Sequence, residues 1–277
     1  YIQTWGWGTE GGEKYNMSVP SDIASKNNIQ SLIANDNAFV AINASGQVYA
    51  WGESTSGGET SSTVDTLYDV TECCASRRAF AVIANGKVYA WGDGDYGAKD
   101  GSVSDVTDAV RMISTESAYT VMRANGGIAC WGNVTYGNNL PSEYQSRNDI
   151  IDVKATYGAF AALCKDGTVI SWGNDNFGAN SSSVSALLHN IVSISASSSS
   201  FAALTREGNV VTWGDASTGG NSSSVAAELY DFCAIYSNSH AFVALRADDN
   251  VIVWGAGNSG AQNVPYNLNG NVSYLKK

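Results

Sequence analysis

Basic residues are scarce in this chain. Its 277 residues include 15 lysines and arginines against 26 aspartates and glutamates, a formal net charge of −11. Nucleic acid and anionic membrane surfaces reward a basic patch, so this balance argues against both as partners. Long apolar runs are missing as well. None approaches the ~20 residues of a helical span, and no membrane insertion is expected. Histidine occurs only as His189 and His240, on different repeats of the pattern described below, which makes neither a triad nor a metal site. No phosphate loop, zincin helix or nucleophile elbow is present. Asp93-Gly94-Asp95 and Asn174-Asp175-Asn176 are faintly like calcium loops, but neither continues to the acidic residue an EF-hand requires. The chain is expected to work without catalysis, cofactor or metal.

Cysteine is sparse and irregular. Cys73, Cys74, Cys130, Cys164 and Cys233 are odd in number and sit at different offsets within the repeat. A disulfide framework would recur with the period, so buried free thiols are expected, with one bridge or a metal as the alternative. That leaves the redox compartment open. Sequons such as Asn43-Ala44-Ser45 and Asn133-Val134-Thr135 arise by chance in a chain rich in Asn and Ser. No initiator Met or signal peptide is present, so a processed form or an excised piece is expected.

What the chain has in quantity is Trp-Gly. Val48-Tyr49-Ala50-Trp51-Gly52 returns as VYAWG at 88–92, IACWG at 128–132, VISWG at 169–173, VVTWG at 210–214 and VIVWG at 251–255. IQTWG opens the chain at 2–6. Trp5, Trp51, Trp91, Trp131, Trp172, Trp213 and Trp254 thus recur every 40 or 41 residues after a first interval of 46. A fixed period of this size marks a repeat architecture, read as one continuous array over 1–277.

Each repeat carries three strand signals. The first, such as Ile191 to Ala196, ends on small residues and suits the crowded centre of a radial array. The second, such as Ala159-Phe160-Ala161-Ala162-Leu163, is almost wholly apolar, as a strand buried on both faces must be. A tight turn follows, with Asn85-Gly86, Asp166-Gly167 or Glu207-Gly208 supplying positive φ, and Asp248-Asp249-Asn250 in its place once. The third strand is the Trp-Gly element. Returns at Pro20–Ile23 and Pro141–Tyr144 have room for one helical turn. Such a unit cannot bury both faces of its sheet alone, whereas stacking units in a ring does so and removes free edges. The expected fold is all-β, a seven-bladed β-propeller of three-stranded, at most four-stranded, blades.

The recurring pattern xxAFxALxxDGxVxxWGxxxxG resembles the regulator of chromosome condensation repeat superfamily, and the likeness runs over essentially the whole chain. The period is shorter than in the eukaryotic founder and closer to the bacterial β-lactamase-inhibitory branch, whose propeller is seven-bladed with three-stranded blades. WD-repeat propellers are disfavoured because Gly, not Asp, follows each repeat Trp. The superfamily usually has Gly after the first strand, where this chain has Asn35, Ser76, Thr115, Thr156, Ser197 and Asn238. The inhibitory branch presents large aromatics on its first turn. The pairs here are Asp36-Asn37, Arg77-Arg78, Glu116-Ser117, Tyr157-Gly158, Ser198-Ser199 and Ser239-His240, of which only Tyr157 is aromatic.

Strands one and three of an antiparallel blade run the same way, so the turn after strand one and the loop after Trp-Gly belong on one rim. Five residues beyond the repeat Trp, three successive repeats carry Tyr96, Tyr136 and Phe177. With Arg77, Arg78 and Tyr157 these form the expected partner-binding residues, since aromatics beside Arg make the composition of a binding hot spot. Packing within the loop is the competing role for the aromatics. The function expected is a non-enzymatic protein-binding propeller of inhibitor, adhesin or toxin-recognition type, secreted or on a cell surface, with an unidentified protein partner. A monomer or a module of a larger chain is expected. The alternative is a carbohydrate-binding propeller, although a lectin would repeat its site in every blade and these loops do not. Ring closure carries a last expectation. The termini meet in a seventh blade, Val272–Leu275 innermost and Ile2–Trp5 outermost, and the strand between them comes from a longer parent chain.

Overall fold

The computed structural model describes residues 19–26, 28–99 and 101–261. They fall in two compact units, Tyr1–Asn138 and Asn139–Lys277. In the first unit three sheets follow one another: β1 (Ile29–Ala34), β2 (Ala38–Asn43) and β3 (Val48–Gly52); β4 (Val70–Ala75), β5 (Ala79–Ala84) and β6 (Lys87–Gly92); β7 (Ala109–Ser114), β8 (Ala118–Arg123) and β9 (Ile128–Gly132). The second unit repeats this with β10 (Ile150–Ala155), β11 (Ala159–Cys164) and β12 (Val169–Gly173); β13 (Ile191–Ala196), β14 (Ser200–Thr205) and β15 (Val210–Gly214); β16 (Phe232–Ser237), β17 (Ala241–Arg246) and β18 (Val251–Gly255). All six sheets are antiparallel meanders in chain order. The expected seventh blade, from Ile2–Trp5 and Val272–Leu275, lies outside the described residues. No described helix is long and apolar enough to cross a membrane.

The apolar runs read as second strands are indeed the cores of their sheets. β5, β11 and β14 are buried at every position. Their hairpins carry the predicted turn chemistry. Asn85 and Gly86 sit at φ 51° and 74°, Gly167 and Gly208 at 82° and 80°, and Asp249 takes the left-handed position at 65° where Gly is absent. Each first-to-second strand pairing slips by one residue near its start, from Ile29/Ser31 in the first sheet to Phe232/Ala234 in the last. The extra residue is a bulge repeated with the period. The expected helical turns form too, as an α-turn at Ser21–Ala24 and a 3₁₀ turn at Ser142–Tyr144.

Within each unit the repeat tryptophans link a sheet to the one before it. Register sets the aromatic of strand two opposite the Trp of strand three, and the rings stack with centroids 5.7 Å apart for Phe80–Trp91 and 5.2 Å for Phe201–Trp213. The indole then donates backwards. Trp91 Nε1 reaches the Gly57 carbonyl and Trp131 Nε1 that of Gly97, each at 3.0 Å, and in the second unit Trp213 reaches Gly178 and Trp254 reaches Gly219 at the same distance. This acceptor is the Gly six residues beyond the preceding Trp, and nothing larger fits. A Cβ on Gly97 would stand 2.7 Å from the Tyr119 ring, and one on Gly219 2.5 Å from that of Phe242. Trp51 Nε1 is buried and finds no such acceptor among the described residues.

Two sequence expectations need correction in detail. The five cysteines are free, but only Cys164 is fully buried, and Cys233 is exposed beside the Leu245 carbonyl. The first strands are also less dry than their small residues suggest. Leu32 and Val110 in one unit, Ile151 and Val192 in the other, are about half exposed.

Candidate protein-binding rim

The polar residues that stand where Gly was expected explain how the rim is built. Asn35 Nδ2 donates to the Ser56 carbonyl (2.7 Å), Ser76 Oγ to that of Tyr96 (2.7 Å) and Thr115 Oγ1 to that of Tyr136 (2.9 Å). In the second unit Thr156 Oγ1 donates to Phe177 (2.8 Å) and Asn238 Nδ2 to Ser259 (2.8 Å). Within each of these sheets the first turn is therefore bonded directly to the loop after Trp-Gly, and both lie at one end of the strands. The loop itself is a 3₁₀ turn, closed in four of the six described sheets by an Asx cap. Asp93, Asn133, Asn174 and Asp215 accept the N–H two residues on through their side chains. This is what the calcium-like stretches do.

Neighbouring first turns are also joined. In the first unit the N–H of Asp36 donates to the Arg77 carbonyl and that of Arg77 to the Glu116 carbonyl. The Arg77 guanidinium repeats the link, with Nε on Asp36 Oδ2 at 2.8 Å and Nη1 on Glu116 Oε1 at 2.6 Å. Those hydrogen bonds, Asp36 first, raise the Arg77 pKa above the usual arginine range. Arg78 turns the other way. Its Nε donates to Ser56 Oγ at 3.2 Å, its head lies 5.8 Å from the Tyr96 ring centre, and Glu53 and Asp93 stand 3.5 and 3.7 Å away. Tyr96 and Tyr136 are both partly buried. Sequence reasoning named Arg77, Arg78, Tyr96 and Tyr136 but missed Asp36 and Glu116. Their acid–base–acid order with Arg77 at one repeat position was the available signal.

In the second unit Phe177 packs over Gly158, the chain neighbour of Tyr157 in the first turn. Tyr157 is 54% exposed. Phe177 is partly buried against the β10–β15 core, and a Cβ on Gly158 would meet its ring at 2.6 Å. Its ring therefore fills the space that Gly158 leaves. The first turns are linked here as well, Tyr157 N–H to the Ser198 carbonyl and Ser198 N–H to that of Ser239.

Among the described residues one cluster has metal-ligand chemistry. The ligand atoms of Asp149, Cys164 and Asp166 lie within 4.8 Å of one another. Their donors are already engaged. Arg147 holds Asp149 through Nε at 2.8 Å and Nη2 at 2.6 Å, lowering its pKa, and Thr168 does the same for Asp166. Burial raises the Cys164 thiol, away from the thiolate a metal needs. The residues fit an internal ion pair better than a metal.

Residues 191–220 match the family model described as the regulator of chromosome condensation (RCC1) repeat. No curated protein matches the chain in sequence. Among solved structures, yeast RCC1 (Prp20), crystallised bound to Kap60, is 17% identical with a TM-score of 0.53, covering 87% of this chain and 72% of that one. Prp20p from Saccharomyces cerevisiae, in a structure described with its binding to Gsp1p and histones, is 16% identical with a TM-score of 0.51, covering 91% and 78%. The ectodomain of the Physcomitrella patens receptor kinase CR4 is 14% identical with a TM-score of 0.52 over 82% of this chain, which spans only 64% of that ectodomain. Residues 191–220 thus match a regulator of chromosome condensation repeat, and the chain that multiplies their pattern is similar in fold to the β-propellers of that superfamily.

Proposed function

We propose that the chain is a non-enzymatic protein-binding module that engages its partner through the rim of first turns and Trp-Gly loops. One observation carries the reading. On this rim Arg78 is held over Tyr96 by side chains that are themselves fixed, while Arg77 clasps the turns on either side. Rigid aromatic and arginine groups offered on a bonded backbone lose little entropy on binding. Arg77, Arg78, Tyr96 and Tyr136 are the contact residues proposed in the first unit, Tyr157 and Phe177 those in the second. Protein binding by Prp20p supports the class of partner and does not identify it. An inhibitor, adhesin or toxin-recognition role outside the cell is the finer reading.

The test pairs capture of proteins from host or neighbour-cell extract with a glycan array. A protein retained by the native chain and lost from the double variant Arg78→Ala, Tyr96→Ser is the expected result. Equal retention by that variant moves the site off this rim, and saturable glycan binding without protein capture replaces the reading by a lectin.

A further inference from the structure

The opposite ends of the strands in the second unit hold a second candidate. A cavity of about 460 Å³ is lined by Arg206, Glu207, Gly208, Asp231, Phe232, Arg246, Ala247 and Asp248. It lies where β14 and β17 end and β16 begins, away from the first-turn rim of the same sheets. Two arginines share it. Arg206 is exposed and has no ion pair among the described residues. Arg246 has only 16% of its side chain exposed, and its guanidinium lies 4.2 Å from the Tyr230 ring centre.

Arg246 is under-used where its counterpart is not. Arg123 holds the same place in β8, and its Nε donates to Asp108 Oδ1 at 2.7 Å. Asp231 corresponds to Asp108, yet Arg246 Nε is buried with no acceptor among the described residues. The ion pair of Arg246 is with Asp248, through Nη2 at 3.4 Å, and Asp248 is already bonded by the N–H of Asn250. A guanidinium held over an aromatic face, with an unfilled donor edge and a second arginine beside it, is the donor arrangement for a planar oxyanion.

We propose that this cavity binds a carboxylate group through Arg246 and Arg206. The Arg147–Asp149 pair supplies the geometry within the same unit, with carboxylate oxygens at 2.8 Å from Nε and 2.6 Å from Nη2. The incoming group meets the outer Nη edge first, because Nε is closed to solvent, and reaches Nε as the guanidinium tilts on Tyr230. The lining acids decide the ligand's charge. Glu207 is drawn off toward Asn190 Nδ2 at 3.1 Å, but Asp231 and Asp248 remain, so a singly charged carboxylate is accommodated and a doubly charged phosphate is repelled. The carboxylate is either that of a small free acid or the C-terminus of a peptide, and the two share this chemistry.

The test follows the arginine Nε–Hε signals of the full chain by NMR, with Arg246→Lys assigning the resonance. Acetate, N-acetylglycine, N-acetylglycinamide and inorganic phosphate are titrated separately. A saturable shift of the Arg246 signal is expected with the two carboxylates and none with the amide, and Arg206→Gln should weaken binding about tenfold, the effect of one charged hydrogen bond. Tighter binding of N-acetylglycine than of acetate assigns the site to a peptide terminus, and equal binding to a free acid. No saturable shift, an equal response to the amide, tighter binding of phosphate, or unchanged affinity in a folded Arg206→Gln variant overturns the proposal.

Discussion

Arg77 is tied to Glu116 twice, by its backbone N–H to the Glu116 carbonyl at 3.0 Å and by Nη1 to Oε1 at 2.6 Å. The backbone link survives removal of the side chain. The side-chain link is exposed to solvent and salt, where ion pairs contribute little to stability. Arg77→Ala is therefore expected to leave the melting temperature unchanged at physiological salt while weakening capture of the protein partner. A calorimetric scan beside a binding titration checks this, and a clear loss of stability would make Arg77 a structural clasp rather than a contact.

The three loop aromatics should separate on mutation. Phe177 packs over Gly158 and against the β10–β15 core, whereas Tyr96 faces the Arg78 head. Phe177→Ala is expected to cost about 1–3 kcal/mol, less than the ~3–5 of a fully buried Phe, because part of its ring remains in water. Tyr96→Ser and Tyr136→Ser should cost less and act mainly on binding. Chemical denaturation of each single variant decides, since equal losses at all three would place every loop aromatic in a packing role.

The contrast between Phe177 and Tyr96 also marks where the sequence stops being legible. Strands, turns and the Trp-Gly period follow from alternation and from residues that tolerate positive φ, so they can be read locally. That the loop meets the first turn follows from strand direction alone. What each aromatic touches does not, because it depends on the turn residue beside it, Gly158 under Phe177 and Arg78 over Tyr96. The polar residues in the Gly slot looked like departures from the repeat and are the bonds that hold the rim together. The Arg246 cavity was still less visible, since Tyr230 reaches Arg246 from a return segment with no repeated pattern.

The indole-to-glycine bond predicts a cost that is independent of ring area. In Trp213→Phe the stack with Phe201 is largely retained, but the Gly178 carbonyl loses its buried donor. Leaving such an acceptor unpaired costs about 1–3 kcal/mol in addition to the smaller ring. Trp131→Phe should behave alike through Gly97. Urea unfolding of the two variants checks the pair, and losses no greater than those of an ordinary trimming of buried area would show that the bond contributes nothing net.

The thiols should react in an order set by their surroundings. Burial pushes the Cys74 pKa up to about 11, and burial likewise raises Cys73 and Cys164. Only the thiolate is nucleophilic, so these three should alkylate slowly near neutral pH in the folded chain. Cys233 is the exposed member of the set and is expected to be labelled first. Peptide mapping after brief iodoacetamide treatment reads the order, and early labelling of Cys74 would contradict the burial of its thiol.

Glu72 gives a prediction whose sign depends on pH. It sits on β4, where its Oε1 accepts the N–H of Met112 at 3.1 Å from the neighbouring first strand. Desolvation raises its pKa, opposed in part by that hydrogen bond and by Arg111. A carboxylate whose folded pKa lies above its unfolded value is destabilising when ionised, so its cost appears as pH rises through the unfolded and then the folded pKa, and vanishes below both. Glu72→Gln keeps an oxygen for Met112 and removes the charge. The variant should therefore melt higher than the native chain at pH 7 and at the same temperature near pH 4, with the gap opening in between. Melting curves across that range test it, and a variant less stable at pH 7 would mean that the charge strengthens the bond to Met112 by more than its burial costs.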